Sequence, residues 1–214
     1  MDLRQITMLG CLLLTSAISA QQGLAPSNDR AHKGFHFTLG MGPVYGHIHD
    51  KASDASGTME VRYKGTGFGL ELRLGGAVKE NLVLSFDMVS RAITSPQISY
   101  AGNDYNTSDD LSIGEVTYGA GITYFLMPSN ISFGGTLGVG SYVFNVTGDN
   151  STTMRTDYGF SGVLRVGKTW WLGRAVNMGA GLSYSYTEAP NNEKDLKENL
   201  WGDRFMASIL FMVH

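Results

Sequence analysis

From about residue 35 onward, the sequence alternates between two kinds of side chain with a period of two, and that period admits strands and excludes helices. Phe68, Leu70, Leu72 and Leu74 fall on one face, with Gly67, Gly69, Glu71, Arg73 and Gly75 on the other. Leu82, Leu84, Phe86 and Met88 stand in the same way against Val83, Ser85, Asp87, Val89 and Arg91. Val116, Tyr118, Ala120, Ile122 and Tyr124 oppose Glu115, Thr117, Gly119, Gly121 and Thr123. The pattern returns at Tyr158–Gly167, at Val176–Tyr186 and at Phe205–Val213. Segments at about Phe35–Gly46 and Ile131–Val146 complete a set of eight expected strands.

The spacers between these strands alternate in length. Long connections are expected at about His47–Tyr63, Ala92–Leu111 and Thr187–Leu200, with an intermediate one at Thr147–Met154. Short turns are expected at Gly75–Asn81, Met127–Asn130 and Leu172–Arg174. Short turns on one rim and long loops on the other are the way outer-membrane barrels are strung. An even number of strands lets the sheet close and lose its edges, as a bilayer demands. The expected fold class is therefore all-β, an eight-stranded antiparallel up-and-down transmembrane β-barrel.

Composition decides which face looks outward. The chain has 28 glycines in 214 residues, nearly double the average of about 7%, and only 16% charged residues against about 25% in soluble domains. The bulky residues share one face, and glycine, serine, threonine and the charges share the other. Eight strands leave an interior just wide enough for side chains, so the bulky face belongs in lipid and the small, polar face inside. Aromatic residues gather at both strand ends. Phe35, Phe37, Tyr124, Phe133 and Trp170 lie toward the short turns, and Tyr45, Tyr118, Tyr158, Tyr184, Tyr186 and Trp201 toward the long loops. Such paired girdles suit amphipathic rings at two membrane interfaces.

The first twenty residues read as a signal peptide: Arg4, an apolar stretch from Ile6 to Leu14, then the small-residue run ending at Ala20. Leu9-Gly10-Cys11 hints at a lipoprotein box, but only Ile6–Leu9 would precede it as apolar core. Cleavage after Ala20 removes the single cysteine, Cys11, and with it disulfides and thiolate chemistry. Residues 21–34 are polar and read as a flexible periplasmic leader, and residues 35–214 as the barrel. The net charge of −3 carries no basic stripe, so no nucleic-acid partner is expected.

The alternations, the glycine-rich inner face and the closing Phe205-x-Ala207-x-Ile209-x-Phe211-x-Val213 run resemble the small eight-stranded barrels of the OmpA-transmembrane-domain and OmpX type. The resemblance covers roughly Phe35 to His214. It implies residence in the bacterial outer membrane, among its lipid and lipopolysaccharide, and delivery by the barrel-assembly machinery. Those families usually end in an aromatic residue, whereas this chain ends Phe211-Met212-Val213-His214. The resemblance implies a structural or surface-interaction role, adhesion or ligand binding through the long loops. The alternatives from other classes are a lipid A-modifying enzyme and a narrow gated channel.

Seven charged residues have inward parity: Glu71, Arg73, Asp87, Arg91, Glu115, Arg165 and Arg204. An unpaired charge in so narrow a space costs several kcal/mol, so a mutually paired network is expected, with a gated polar path as the alternative. His47 and His49, near Asp50 and Asp54, could pair on a metal or join Ser108, Asp109 or Asp110 in a hydrolase site, but a solvated loop is the simpler reading. Asp104, Asp109 and Asp110 lack the spacing of a calcium loop. No catalytic motif, cofactor site or metal-ligand set is read from the sequence. Lys168 interrupts the greasy face and is expected to snorkel to the short-turn rim. Tyr142 and Phe144 have inward parity, which either a bulge or a wide barrel top would accommodate.

Overall fold

The computed structural model describes residues 31–54, 57–107, 110–147, 151–193 and 196–214. The expected signal peptide and leader residues 21–30 lie outside the described residues. Ten strands are present among them: β1 (Phe35–Asp54), β2 (Gly57–Lys79), β3 (Leu82–Tyr100), β4 (Asn103–Asn106), β5 (Leu111–Leu126), β6 (Ile131–Val146), β7 (Thr152–Arg155), β8 (Gly159–Trp171), β9 (Val176–Glu193) and β10 (Leu196–Val213). Eight of them form a closed antiparallel ring, β1-β2-β3-β5-β6-β8-β9-β10 and back to β1. The seam between first and last strands runs from Phe37 opposite Val213 to Ser53 opposite Lys197. It skips partners between Val44 and Met41, where Pro43 has no N–H to give.

The remaining two strands, β4 and β7, pair only with β3 and β6. β4 falls inside a segment expected to be a loop, and β7 runs one residue past the end of another. The long connections are largely sheet as well: β1 and β2 stay in register out to Asp54 opposite Gly57, and β9 and β10 out to Glu193 opposite Leu196. In β4, in β7 and over residues 57–60 of β2 both faces are exposed, so backbone pairing continues there without the apolar alternation that would disclose it. The turns on the other rim are tight. Asn81 (φ 64°) and Asn130 (φ 54°) take the left-handed conformation there, which asparagine tolerates better than most residues.

The orientation is bulky side out. Phe68, Phe86, Leu137, Leu164 and Leu182 are each more than half exposed, whereas Glu71, Asp87, Arg91, Glu115 and Arg204 are at most 2% exposed. The outward apolar belt on the first hairpin ends near Tyr45 and Phe68. Beyond it the outward positions are His47, His49, Lys51, Arg62 and Lys64, so the hairpins project from the bilayer.

The interior departs from the expected small-or-polar filling. An apolar cluster of Val44, Ile48, Ile93, Ile113, Tyr142, Ala189, Leu200 and Met206 fills the long-hairpin end, with Tyr63, Leu111 and Phe144 packed against it. A second cluster, Val83, Phe125, Leu210 and Met212, fills the short-turn end. On β10, Met206, Leu210 and Met212 therefore point inward while Phe205, Ile209 and Phe211 point out. Glycine makes the room: a Cβ at Gly69 would come within 2.8 Å of Met206 Sδ, and one at Gly167 within 3.0 Å of Leu210 Cδ1. Tyr142 and Phe144 face inward with the β5–β6 register unbroken, so the wide barrel top accommodates them and no bulge is needed.

Candidate functional site

Between the two apolar clusters lies the polar layer of the barrel. β2 supplies Glu71 and Arg73, β3 Asp87 and Arg91, β5 Glu115, β8 Arg165 and β10 Arg204. All of them point inward because they share the parity of the glycines. Glu71 Oε1 accepts from Arg91 Nη2 (2.5 Å) and Ser183 Oγ (2.9 Å), and its Oε2 accepts from Arg165 Nε (2.7 Å). Arg165 Nη1 also donates to Asp87 Oδ2 (3.1 Å), which takes the Thr136 hydroxyl as well, while Ser85 Oγ donates to Asp87 Oδ1 (2.5 Å). Glu115 stands nearer the long-hairpin end. Arg204 Nη1 and Ser185 donate to its Oε2, and Thr187 (2.6 Å) to its Oε1. The Arg204 guanidinium lies 5.1 Å from the Tyr142 ring centroid, and the Tyr142 hydroxyl donates to the Thr187 carbonyl (2.8 Å).

Arg73 is the exception. It sits opposite Asp87 in the β2–β3 register, yet it forms no ion pair within 4.0 Å among the described residues. Four guanidiniums thus share three carboxylates, an excess of one positive charge by 4 − 3. One void beside the layer, of about 10 Å³, touches Glu71, Arg73, Arg165 and Ser183 and has room for about one water molecule. A larger cavity of about 380 Å³ opens at the β1–β10 seam, and its lining, including Pro43, Tyr45, Leu182 and Phe205, carries no charged group.

The histidines of the first hairpin are not brought together as a site. His47 faces Asp203 on β10 (3.7 Å), and the Tyr45 hydroxyl lies 3.1 Å from its Nε2. His49 faces Glu60 on β2 (3.6 Å) and stacks on Trp201 with ring centroids 5.3 Å apart. Asp50 has the opposite parity and points inward, where burial and the Glu198 carboxylate push its carboxyl up to about 7, in the part of the hairpin that stands above the bilayer. Asp104 accepts from Ser99 within its own hairpin (2.5 Å). Ser108 and Asp109, and the side chain of Asp54, lie outside the described residues. Lys168 curls to the turn carbonyl of Ser129, its ammonium 5.9 Å from the Trp170 ring.

What the sequence reading missed lies at the short-turn mouth. Residues 31–34, expected as the end of a flexible leader, are tied to β2 and the turn after it. Ala77 N donates to Gly34 O (2.8 Å), and His32 N donates to Asn81 Oδ1 (3.0 Å). This docking puts the fully buried His32 beside His36 and His214. Ligand spacing in the sequence gave no sign of the cluster, because barrel closure alone joins its first and last members.

A closed ring of eight strands, an outward apolar belt and a paired polar interior together define a small outer-membrane β-barrel, and the outer membrane, with its lipid and lipopolysaccharide, is where it resides. No protein-family model and no curated protein sequence matches the chain. Among solved structures it is similar to the outer membrane protein OprG from Pseudomonas aeruginosa, at 13% identity and a TM-score of 0.51, over 86% of this chain and 98% of that one. Neisserial surface protein A matches at 15% identity and a TM-score of 0.46, over 83% and 96% of the two chains. The attachment invasion locus protein Ail of Yersinia pestis matches at 14% identity and a TM-score of 0.33, over 83% and 99%.

Proposed function

We propose that the protein serves as a structural and surface-interaction element of the outer membrane, binding through its projecting hairpins and neither conducting nor catalysing. The observation that carries this reading is the filled interior. Apolar clusters stand on both sides of a polar layer whose adjoining void measures about 10 Å³. Solute passage through the ring would require the buried ion pairs to part, at several kcal/mol each. The hairpins supply what an interacting surface needs, a rigid extension beyond the belt with charged outward positions such as Lys51, Arg62 and Lys64. Delivery by the barrel-assembly machinery is part of the same proposal.

The experiment replaces residues 51–60 with a short turn and follows three readouts. Membrane insertion and heat-modifiable migration are expected to survive, and binding of cells to host surfaces is expected to fall. Steady conductance by the intact protein in planar bilayers would favour a channel instead. Loss of lipid A modification on His49→Ala would favour an enzyme.

A further inference from the structure

Three of the five histidines meet at the periplasmic mouth. His32 precedes β1, His36 is its second residue, and His214 follows β10, so the seam that closes the barrel assembles them. They converge through the same ring atom. His32 Nδ1 and His36 Nδ1 each lie 3.3 Å from His214 Nδ1, and the candidate ligand atoms of all three fall within 4.8 Å of one another. Tetrahedral ligation at zinc–nitrogen distances of 2.0–2.1 Å spaces imidazole nitrogens by about 3.3–3.4 Å. The two spacings to His214 are those of ligands around an ion.

The outer nitrogens are held as well. His32 Nε2 lies 2.8 Å from Asn130 Oδ1 and His36 Nε2 lies 3.0 Å from Thr38 Oγ1. An amide oxygen only accepts, so His32 carries its proton on Nε2 and presents a lone pair at Nδ1. Thr38 Oγ1 can accept in the same way from His36 Nε2, and three Nδ1 atoms then face one another with at most one proton, on His214, to share. One lone-pair contact is then left uncompensated, and a cation at the centre resolves it. An oxygen acceptor on the far nitrogen is the support that metal-bound histidine ordinarily has. His32 is fully buried and stacks on Phe125 with ring centroids 3.6 Å apart.

We propose that His32, His36 and His214 bind a divalent transition-metal ion of the zinc class through their Nδ1 atoms, fastening the segment before β1 to the end of β10. Imidazole suits zinc, copper and nickel, and a three-histidine set leaves a fourth position for water or another donor.

The test uses the mature chain refolded into detergent or vesicles without a polyhistidine tag. Titration with Zn²⁺ is expected to give one ion per chain and to raise the thermal midpoint. Co²⁺ is expected to give the intense visible bands of a tetrahedral site. His36→Ala and His214→Ala are each expected to weaken Zn²⁺ binding by at least tenfold, and Asn130→Ala by about 10–100-fold. His47→Ala with His49→Ala is expected to change nothing. Heat-modifiable migration confirms that each variant is folded. If a variant fails to fold, the Co²⁺ spectrum of the intact protein decides, and an octahedral spectrum overturns the site. So does Zn²⁺ binding that follows His47 and His49, or that is no tighter in the intact chain than in the folded variants.

Discussion

Arg91 stands opposite Gly69 on β2 and Glu115 on β5, yet its ion pair is made diagonally with Glu71, at 2.5 Å between side chains that are 0% and 2% exposed. The diagonal places Arg91 in the Glu71 group, and among the described residues no ion pair joins that group to Glu115. Glu71 reaches Arg165 and through it Asp87, while Glu115 is held by Arg204. Removing one partner of such a buried pair leaves a charge with no water to replace it.

Glu71→Ala and Arg91→Ala are each expected to lower the unfolding free energy in lipid vesicles by about 3–5 kcal/mol, with planar-bilayer conductance unchanged. Arg73→Ala is expected to cost less than Arg91→Ala, because Arg73 makes no close ion pair among the described residues. Urea titrations of the three variants check the order. A large conductance rise with unchanged stability would reverse the assignment of this layer from filler to path.

Asp87 occupies space that a side chain at Gly121 would need, since a Cβ there would lie 2.4 Å from its Oδ2. Gly121→Ala is expected to push the carboxylate off Arg165 and destabilise by about 1–3 kcal/mol. Gly162→Ala, whose nearest neighbour would be 3.7 Å away on the lipid side, is expected to be nearly neutral. Thermal midpoints of the two variants, compared in one detergent, are the measurement.

Leu164 is 67% exposed on the middle of β8. In a bilayer Leu164→Arg is expected to cost about 2–4 kcal/mol, the figure for a cation on the lipid face at the midplane. A soluble barrel would accept the same change at its surface. Equal stability of Leu164→Arg and the parent in vesicles would contradict the orientation.

Asp50 gives a pH dependence whose sign follows from its raised pKa. Its carboxyl sits at about 7 in the folded protein against an ordinary 3.8, through burial first and the Glu198 charge second. Between these values the folded state binds more protons than the unfolded one, so stability falls as pH rises from about 4 to about 7. Asp50→Asn is expected to flatten that part of the profile and to be the more stable protein at pH 8. Unfolding midpoints of both proteins across this range provide the check, and parallel profiles would show that Asp50 does not carry the dependence.

The alternation of residues such as Leu70, Glu71, Leu72 and Arg73 determined the strands, the closed ring and the outward greasy face, because a period of two puts each side chain on a fixed side of a sheet wherever one side is dry. The inward parity of all seven charged residues was legible for the same reason. The sequence was silent where parity does not apply. Strands β4 and β7 are exposed on both faces, and they passed for loop. On β10 both faces are apolar, and the inward Met206, Leu210 and Met212 could be told from lipid-facing residues only once glycines on neighbouring strands were seen to make room for them. Which arginine meets which carboxylate, and that His32 and His36 meet His214, depends on the stagger of the strands and the closure of β1 on β10. Those are long-range relationships that no local window of sequence contains.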